Sequence, residues 1–252
     1  MNFNYKTIFI SDIHLGSNHC KSSVLLDFLK TYNAETIYLV GDIFDFWKLK
    51  NKFFLPKEQI AILKKFLKMV KKSVKIKYVI GNHDEVLRSW TKYNLEIENI
   101  EISNSFIHES NDRMFLVIHG DQFDGIIVPW LYHIGDFLYE ILLSLNTNLN
   151  YFRHKMNLGY WSLSKYLKYK TKEVVAFISS FEETISNYTR KRKCDGVIYG
   201  HTHTPALKIL NDIVIMNTGD FVESCSAILE DFEWNFHLVQ YQNNSWIIIK
   251  SI

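Results

Sequence analysis

An α/β sandwich interrupted by a long helical insertion is the fold this sequence predicts, and three observations carry that expectation. Short β-branched and aromatic runs alternate with helical stretches over residues 5–80; strand-like runs return at 195 and continue to 250; and between about 126 and 191 the pattern is helical. Residues 5–10 (YKTIFI) read as a first strand, followed by a helical pattern at about 20–32 and a second buried strand at 36–40 (TIYLV). Residues 56–72 read as an amphipathic helix with Pro56 in its first turn, and 75–80 as a third strand. The lysines of 64–77 read as the solvated face of that helix. Two strands are expected within 105–118, and further ones at 195–199, 205–217, 225–230 and 235–250. The helical stretch therefore sits inside a single domain spanning 1–252, as an insertion covering 126–191.

The composition narrows the function. Of 252 residues, 47% are hydrophobic and 22% charged, which supplies a core and excludes global disorder. Lys and Arg number 29 against 27 Asp and Glu, a net charge of +2, which argues against a protein that coats nucleic acid by bulk charge. The cysteines Cys20, Cys194 and Cys225 are widely spaced and form no C-x-x-C pair, so neither a disulfide framework nor a thiolate zinc site is expected, and a reducing compartment is favoured. The first residues lack the basic and long apolar regions of a signal peptide, and no run reaches the roughly 18 apolar residues of a membrane span. A cytoplasmic protein, with peripheral contact at the membrane surface as an option, is the expectation.

The residues just past each apolar run are more informative. TIFIS leads into Asp12-Ile13-His14, TIYLV into Gly41-Asp42, IKYVI into Gly81-Asn82-His83-Asp84, MFLVI into His119-Gly120-Asp121, and GVIY into Gly200-His201-Thr202-His203. In α/β sheets ligands gather at the carboxyl ends of strands. Divalent cations of the Mn, Fe or Zn type accept imidazole nitrogen together with carboxylate oxygen. Two such ions about 3.5–4 Å apart need a bridging carboxylate, and Asp42 is the natural bridge. Asp12 and His14, like His201 and His203, are two apart, so an extended backbone would turn both side chains of each pair to one side. The neighbouring glycines allow tight turns beside the ions. A single Asp after a strand is an ordinary turn or capping residue; it is the ordered set that points to a dinuclear metal site.

DIH, GD, GNHD, HG and GHTH, in this order over residues 12–203, resemble the metallophosphoesterase (calcineurin-like) superfamily. GDIFDFW (41–47), HGDQFDG (119–125), YWSLSKYLK (160–168) and NTGDFVES (217–224) are similar to its UDP-2,3-diacylglucosamine pyrophosphohydrolase-like branch. The resemblance implies an α-β-β-α sandwich in which 126–191 forms a helical lid. It implies two metal ions, Mn²⁺ first with Fe or Zn as alternatives, one held by Asp12, His14, Asp42 and His203 and the other by Asp42, Asn82, His119 and His201. It further implies in-line attack of an activated water on phosphorus, with His83 stabilising or protonating the leaving group and Asp84 orienting His83. Asp121, Asp124 and Asp220 read first as turn or capping residues, with a place behind the ligands as the alternative, whereas His19, His108, His133, His154 and His237 match no motif and read as surface or hydrogen-bonded residues. The implied reaction is cleavage of UDP-2,3-diacylglucosamine to UMP and 2,3-diacylglucosamine 1-phosphate in lipid A synthesis. The alternative is phosphodiesterase or phosphatase action on another nucleotide or soluble phosphoester, since the branch reads GNRD where this chain has His83.

The insertion is where substrate selection is expected. It is rich in aromatic residues, Trp130, Tyr132, Tyr160 and Trp161 among them, and from Ile141 to Lys172 it carries no acidic residue but has Arg153, Lys155, Lys165, Lys168, Lys170 and Lys172. Such an element suits acyl chains and a diphosphate, or the anionic inner surface of a membrane; the alternative is an ordinary helical hairpin with the aromatics as its core and the lysines as its solvated face, and the family resemblance favours the lipid-linked reading. A nucleotide-diphosphate lipid is thus the expected partner, nucleic acid is not, and nothing in the sequence specifies an oligomeric state.

Overall fold

The computed structural model describes residues 4–51, 54–91, 96–127 and 172–252. Strand β1 (Tyr5–Ile10) leads into helix α1 (Ser22–Thr31), β2 (Ala34–Val40), the short α2 (Phe46–Leu49), α3 (Lys57–Val70) and β3 (Lys75–Val79). Pro56 is the cap of α3 and not a residue of its first turn. A two-residue strand, β4 (Glu96–Ile97), precedes β5 (Ile100–Ser103), β6 (Ser105–Ser110) and β7 (Arg113–Ile118). The single-turn α4 (Asp124–Ile127) and the long α5 (Lys172–Lys191) come next, then β8 (Gly196–Tyr199), β9 (Ala206–Leu210), β10 (Ile213–Asn217), β11 (Ser226–Glu230), β12 (Phe236–Gln242) and β13 (Ser245–Ser251). The expected helical insertion is described only at these two helices; its centre, with His133 and His154, lies outside the described residues.

The chain divides into two compact units, one of residues 1–121 with 185–252 and one of residues 122–184. The first contains two sheets. An eight-stranded sheet runs β13-β12-β11-β1-β2-β3-β5-β4, with β1, β2, β3 and β5 parallel, and a five-stranded sheet runs β6-β7-β8-β10-β9. The parallel pairs β1–β2 and β2–β3 follow from the helical crossovers α1 and α3, which the alternating sequence pattern demands.

Strand periodicity sets the layers. Along β1, Phe9 points between the sheets, where it joins Tyr38, Val40, Val79, Phe115, Val117, Ile198, Met216, Ile228 and Phe236 in one apolar cluster. Ile8 and Ile10 point the other way and pack with Leu25, Phe28 and Leu29 of α1 and Ile62, Phe66 and Met69 of α3. On the five-stranded sheet, Ile185 in the second half of α5 is fully buried and Ser186 Oγ donates to the Leu210 carbonyl at 3.4 Å. Two sheets covered by helices therefore share an interior that fixes where every parallel strand ends.

Phe9 is 0% exposed and stacks on Tyr38 with ring centroids 4.8 Å apart. Truncating so large a buried ring removes its transfer free energy and leaves a cavity between the sheets, so Phe9→Ala is expected to lower unfolding free energy by about 3–5 kcal/mol in urea titration. A loss below ~1 kcal/mol would contradict this packing.

Candidate metal centre

The loops that leave β1 and β2 run side by side as if the parallel sheet continued. Asp12 N donates to Gly41 O at 3.0 Å, His14 N to Asp42 O at 3.0 Å and Leu15 N to Ile43 O at 2.8 Å. The loops leaving β7 and β8 are joined in the same way, Gly200 N donating to His119 O at 3.1 Å. Side-chain bonds tie the second sheet to the first, among them His119 Nδ1, 2.9 Å from the Val40 carbonyl, and the Asp12 carboxylate, which accepts from His201 N at 3.0 Å. A carbonyl only accepts, so Nδ1 carries the proton and Nε2 is left to face Asp42 and Asn82.

The backbone corrects one expectation. Asp12, His14, His201 and His203 are not extended; with Asp42 they have φ of 50°, 52°, 65°, 52° and 55°, in the left-handed region. Asp and His tolerate this conformation better than β-branched residues do. Their side chains converge because the chain coils tightly at each strand end, while Ile13 between the first pair turns into the core and is fully buried. The glycines make room: a Cβ on Gly81 would stand 2.6 Å from Asp42 N, and one on Gly200 would stand 2.7 Å from Ser11 Cβ and press on the Asp12 carboxylate.

Three groups of donors result among the described residues, one of them His14 with Asp45 and His83 and the other two made of residues expected to bind metal. Asp12, His14 and His203 offer ligand atoms within 4.8 Å of one another, as do Asp42, His119 and His201. His203 Nε2 is 3.1 Å from Asp12 Oδ1, and His119 Nε2 is 3.3 Å from Asp42 Oδ2 and 3.2 Å from Asn82 Oδ1. Asp42 connects the groups, since its Oδ2 is also 4.0 Å from His14 Nε2. All seven residues expected to bind metal are therefore gathered at one end of the sheets. Asp12 Oδ1 and His14 Nε2 are buried and make no hydrogen bond, which is costly in a folded protein unless a cation completes them. The mixed imidazole, carboxylate and amide set suits divalent first-row metals.

The electrostatics are tuned for ligation. Burial drives the His14 imidazole down to about 4 in spite of the nearby Asp42, so it is neutral at physiological pH, as a ligand must be. Burial alone would raise Asp12 and Asp42, but the surrounding histidines outweigh it: His203 brings Asp12 down to about 2, and His119 holds Asp42 well below the carboxylate range. His119 responds in kind; burial opposes its charge, yet Asp42 and Asp12 raise its pKa well above the usual value.

His83 lies beside these groups, its ring centroid 4.5 Å from that of His14, and its backbone N donates to Asp42 Oδ1 at 2.8 Å. The expected role of Asp84 as its orienting partner needs correction. Asp84 is fully buried and accepts from Ile43 N at 2.9 Å, Gly81 N at 2.5 Å and Tyr78 Oη at 2.5 Å, so it braces the turn beneath the site; burial, then Asp42, pushes its carboxyl up to about 6. The carboxylate facing His83 Nδ1, at 3.3 Å, is Asp45. Burial would raise Asp45, but its contact with His83 lowers it. Trp47 packs on the other side of the His83 ring, at 4.0 Å between centroids. Asp45 was not among the expected site residues, although its place three residues after Asp42 in GDIFD was a visible signal. Of the remaining candidates, Asp121 pairs with Arg88, His108 with Glu230 and His237 with Asp231, and Asp220 approaches His203.

Comparison with known proteins agrees with this geometry. Residues 5–205 match the sequence profile of the calcineurin-like phosphoesterases. A UDP-2,3-diacylglucosamine hydrolase of Psychromonas ingrahamii is 27% identical over 213 residues, 80% of this chain and 82% of that protein. A protein of the same name from Porphyromonas gingivalis is 27% identical over 124 residues, a match that spans 46% of each chain and so under half the relative's length. The solved structure of the phosphoesterase YfcE from E. coli shares the fold, with a TM-score of 0.50 and 16% identity over 98% of this chain and 97% of that one. Metal-ligand motifs at five strand ends, within a match that takes in most of the chain, establish that it belongs to the calcineurin-like phosphoesterase family, whose members hydrolyse phosphoesters or phosphoanhydrides with two metal ions.

Proposed function

We propose that this hydrolase cleaves the pyrophosphate of UDP-2,3-diacylglucosamine, releasing UMP and 2,3-diacylglucosamine 1-phosphate. The observation that carries this reading is the pair of donor groups joined through Asp42, in a chain whose similarity to a hydrolase of that name extends over 80% of its length. The composition of the insertion supports the lipid half of the substrate: aromatic residues with six cations and no acid between Ile141 and Lys172 suit acyl chains beside a diphosphate. We assign acyl recognition to residues 126–191 on that basis. Among the described residues no helix is long and apolar enough to cross a membrane.

Asp12, His14, Asp42 and His203 would hold one ion, and Asp42, Asn82, His119 and His201 the other. When bound, two divalent ions, Mn²⁺ in this reading, supply Lewis acidity to the phosphoryl oxygens and to the attacking water. The chain's own residues do the rest. Asp42, ionised and held by the His83 amide, would balance charge between the two positions. His119, fixed by the Val40 carbonyl, keeps a single nitrogen directed at the site. His83, with Nδ1 turned to Asp45 and its ring packed on Trp47, would offer the proton of its other nitrogen to the departing phosphate oxygen.

Mass-spectrometric analysis after incubating Mn²⁺-loaded protein with UDP-2,3-diacylglucosamine, beside a generic aryl phosphodiester, is expected to show UMP and the diacylglucosamine phosphate; Asp42→Ala should abolish both reactions. Cleavage of the aryl ester alone would retain the metal chemistry and discard this substrate.

The raised pKa of His119 gives a pH dependence with a definite sign. At neutral pH the metal-free imidazole carries a proton that a ligand cannot keep, so metal binding should release it, and affinity should rise with pH until that proton is lost. Calorimetric titration of Mn²⁺ in buffers of different ionisation enthalpy should therefore report proton release of about one. Binding with no proton release would contradict the Asp42–His119 pairing.

A further inference from the structure

We propose that the groove between α1 and α3 is an anion site that takes a small phosphate or diphosphate group, apart from the metal centre. The groove is a cavity of about 190 Å³. Pockets for drug-sized ligands run to roughly 300–1,000 Å³, so its occupant is small. Its floor is apolar, made of the buried Leu29 of α1, Met69 of α3 and Val74. Around that floor stand Lys30, Lys65, Lys68 and Lys72, with Asn33, and among the described residues no Asp or Glu lines it.

The helices themselves do not account for this concentration of charge. Lys30 and Lys68 lie in the last turns of α1 and α3, where a cation favours the helix dipole. The last carbonyls of α3 are nevertheless already used. Leu67 O accepts from Lys71 N at 3.1 Å, Met69 O from Lys72 N at 2.9 Å and Val74 N at 3.1 Å, and Val70 O from Ser73 N at 2.9 Å. Lys65 stands a turn further back, and burial, then Lys72, Lys30 and Lys68, lower its pKa. Its ammonium is thus within electrostatic reach of the other three, and the lining offers no carboxylate to offset them. A phosphate group has oxygens enough to accept from several ammonium groups at once, through charge-assisted bonds. Asn33 adds a donor: its Oδ1 already accepts from Asn4 N at 2.7 Å, which leaves its NH₂ group to donate.

The place of the groove separates it from catalysis. Asn33 immediately precedes β2 and Val74 immediately precedes β3, whereas Asp42 and Asn82 follow those same strands. The seven residues of β2 put roughly 20 Å between the two ends. An anion in the groove would touch neither the metal ions nor the reacting phosphorus. It would neutralise lysines that repel one another across α1 and α3, and so join the two helices that cover the large sheet.

Inorganic pyrophosphate titrated calorimetrically into the metal-free chain is expected to bind, more weakly as salt is added. The Lys65→Gln/Lys68→Gln double variant should bind it at least about 10-fold more weakly. In ¹³C-methyl spectra of the wild type, pyrophosphate should move the Met69 and Val74 signals. Urea unfolding checks the double variant, whose midpoint should be no lower than that of the wild type because repulsion has been removed. Absence of pyrophosphate binding, or binding as strong in the double variant, would overturn the proposal. Should the double variant not fold, unmoved Met69 and Val74 methyls in the wild type overturn it equally. Sedimentation with phosphatidylcholine vesicles containing phosphatidylglycerol identifies the source of the phosphate. Retention that needs Lys65 and Lys68 and is displaced by pyrophosphate assigns the groove to a lipid headgroup; pyrophosphate binding without such retention assigns it to a free phosphate compound.

Discussion

The structure depends on a continuation of parallel pairing past the ends of its strands. Where β1 and β2 stop as regular strands, their loops stay bonded through Asp12 N, His14 N and Leu15 N. Those bonds keep two carboxylates and an imidazole in register although each belongs to a loop. Short loops on rigid strands hold ligands to tighter tolerances than long ones, and a metal site needs such tolerances. The second sheet contributes His119, His201 and His203 by the same device, and the His119–Val40 bond makes the two sheet ends one construction.

Burying this many ionisable groups would be destabilising if they were not mutually compensating. Two carboxylates, Asp12 and Asp42, stand within a few ångströms of four histidines, and each shift follows from that company: carboxylates lowered by imidazoles, His119 raised by carboxylates, His14 lowered by burial. The closest of these contacts are the ion pairs of His203 with Asp12 and of His119 with Asp42.

Much of this was legible in the sequence because it depends on local pattern. The apolar runs of β1, β2, β3, β7 and β8, each followed by Asp, Asn or His, place the ligands at strand ends whatever the details of packing. In the carboxyl-terminal third the apolar runs were readable, although 205–217 and 235–250 each hold two strands, whereas the β4 and β5 edge was not, since the four residues of β5 are only half-buried and, unlike the fully buried β8, form no continuous apolar run. Asp84 shows where sequence reading stops. Adjacent to His83, it was the natural partner by proximity along the chain, but its carboxylate points inward to Tyr78 and the Gly81 turn. Asp45, distant by 38 residues, reaches His83 because α2 begins where the loop after β2 meets the loop after β3. Long-range partners of that kind depend on how loops cross, which no local pattern encodes.

The left-handed backbone of the ligands explains a coincidence of residue type. An L-residue with a Cβ loses on the order of 1 kcal/mol in this conformation, and a buried backbone hydrogen bond returns a similar amount, so Asp12 and His14 are held there by the amides that cross to Gly41 and Asp42. Asp and His are among the side chains least strained at positive φ, and they are also the side chains that ligate divalent metals. A β-branched residue such as Ile13 could not take the place of its neighbours, and it does not: it occupies the intervening position and turns into the core. One choice of residue therefore satisfies the coiling of the chain and the donor chemistry of the candidate site together, where the strands end and not along them.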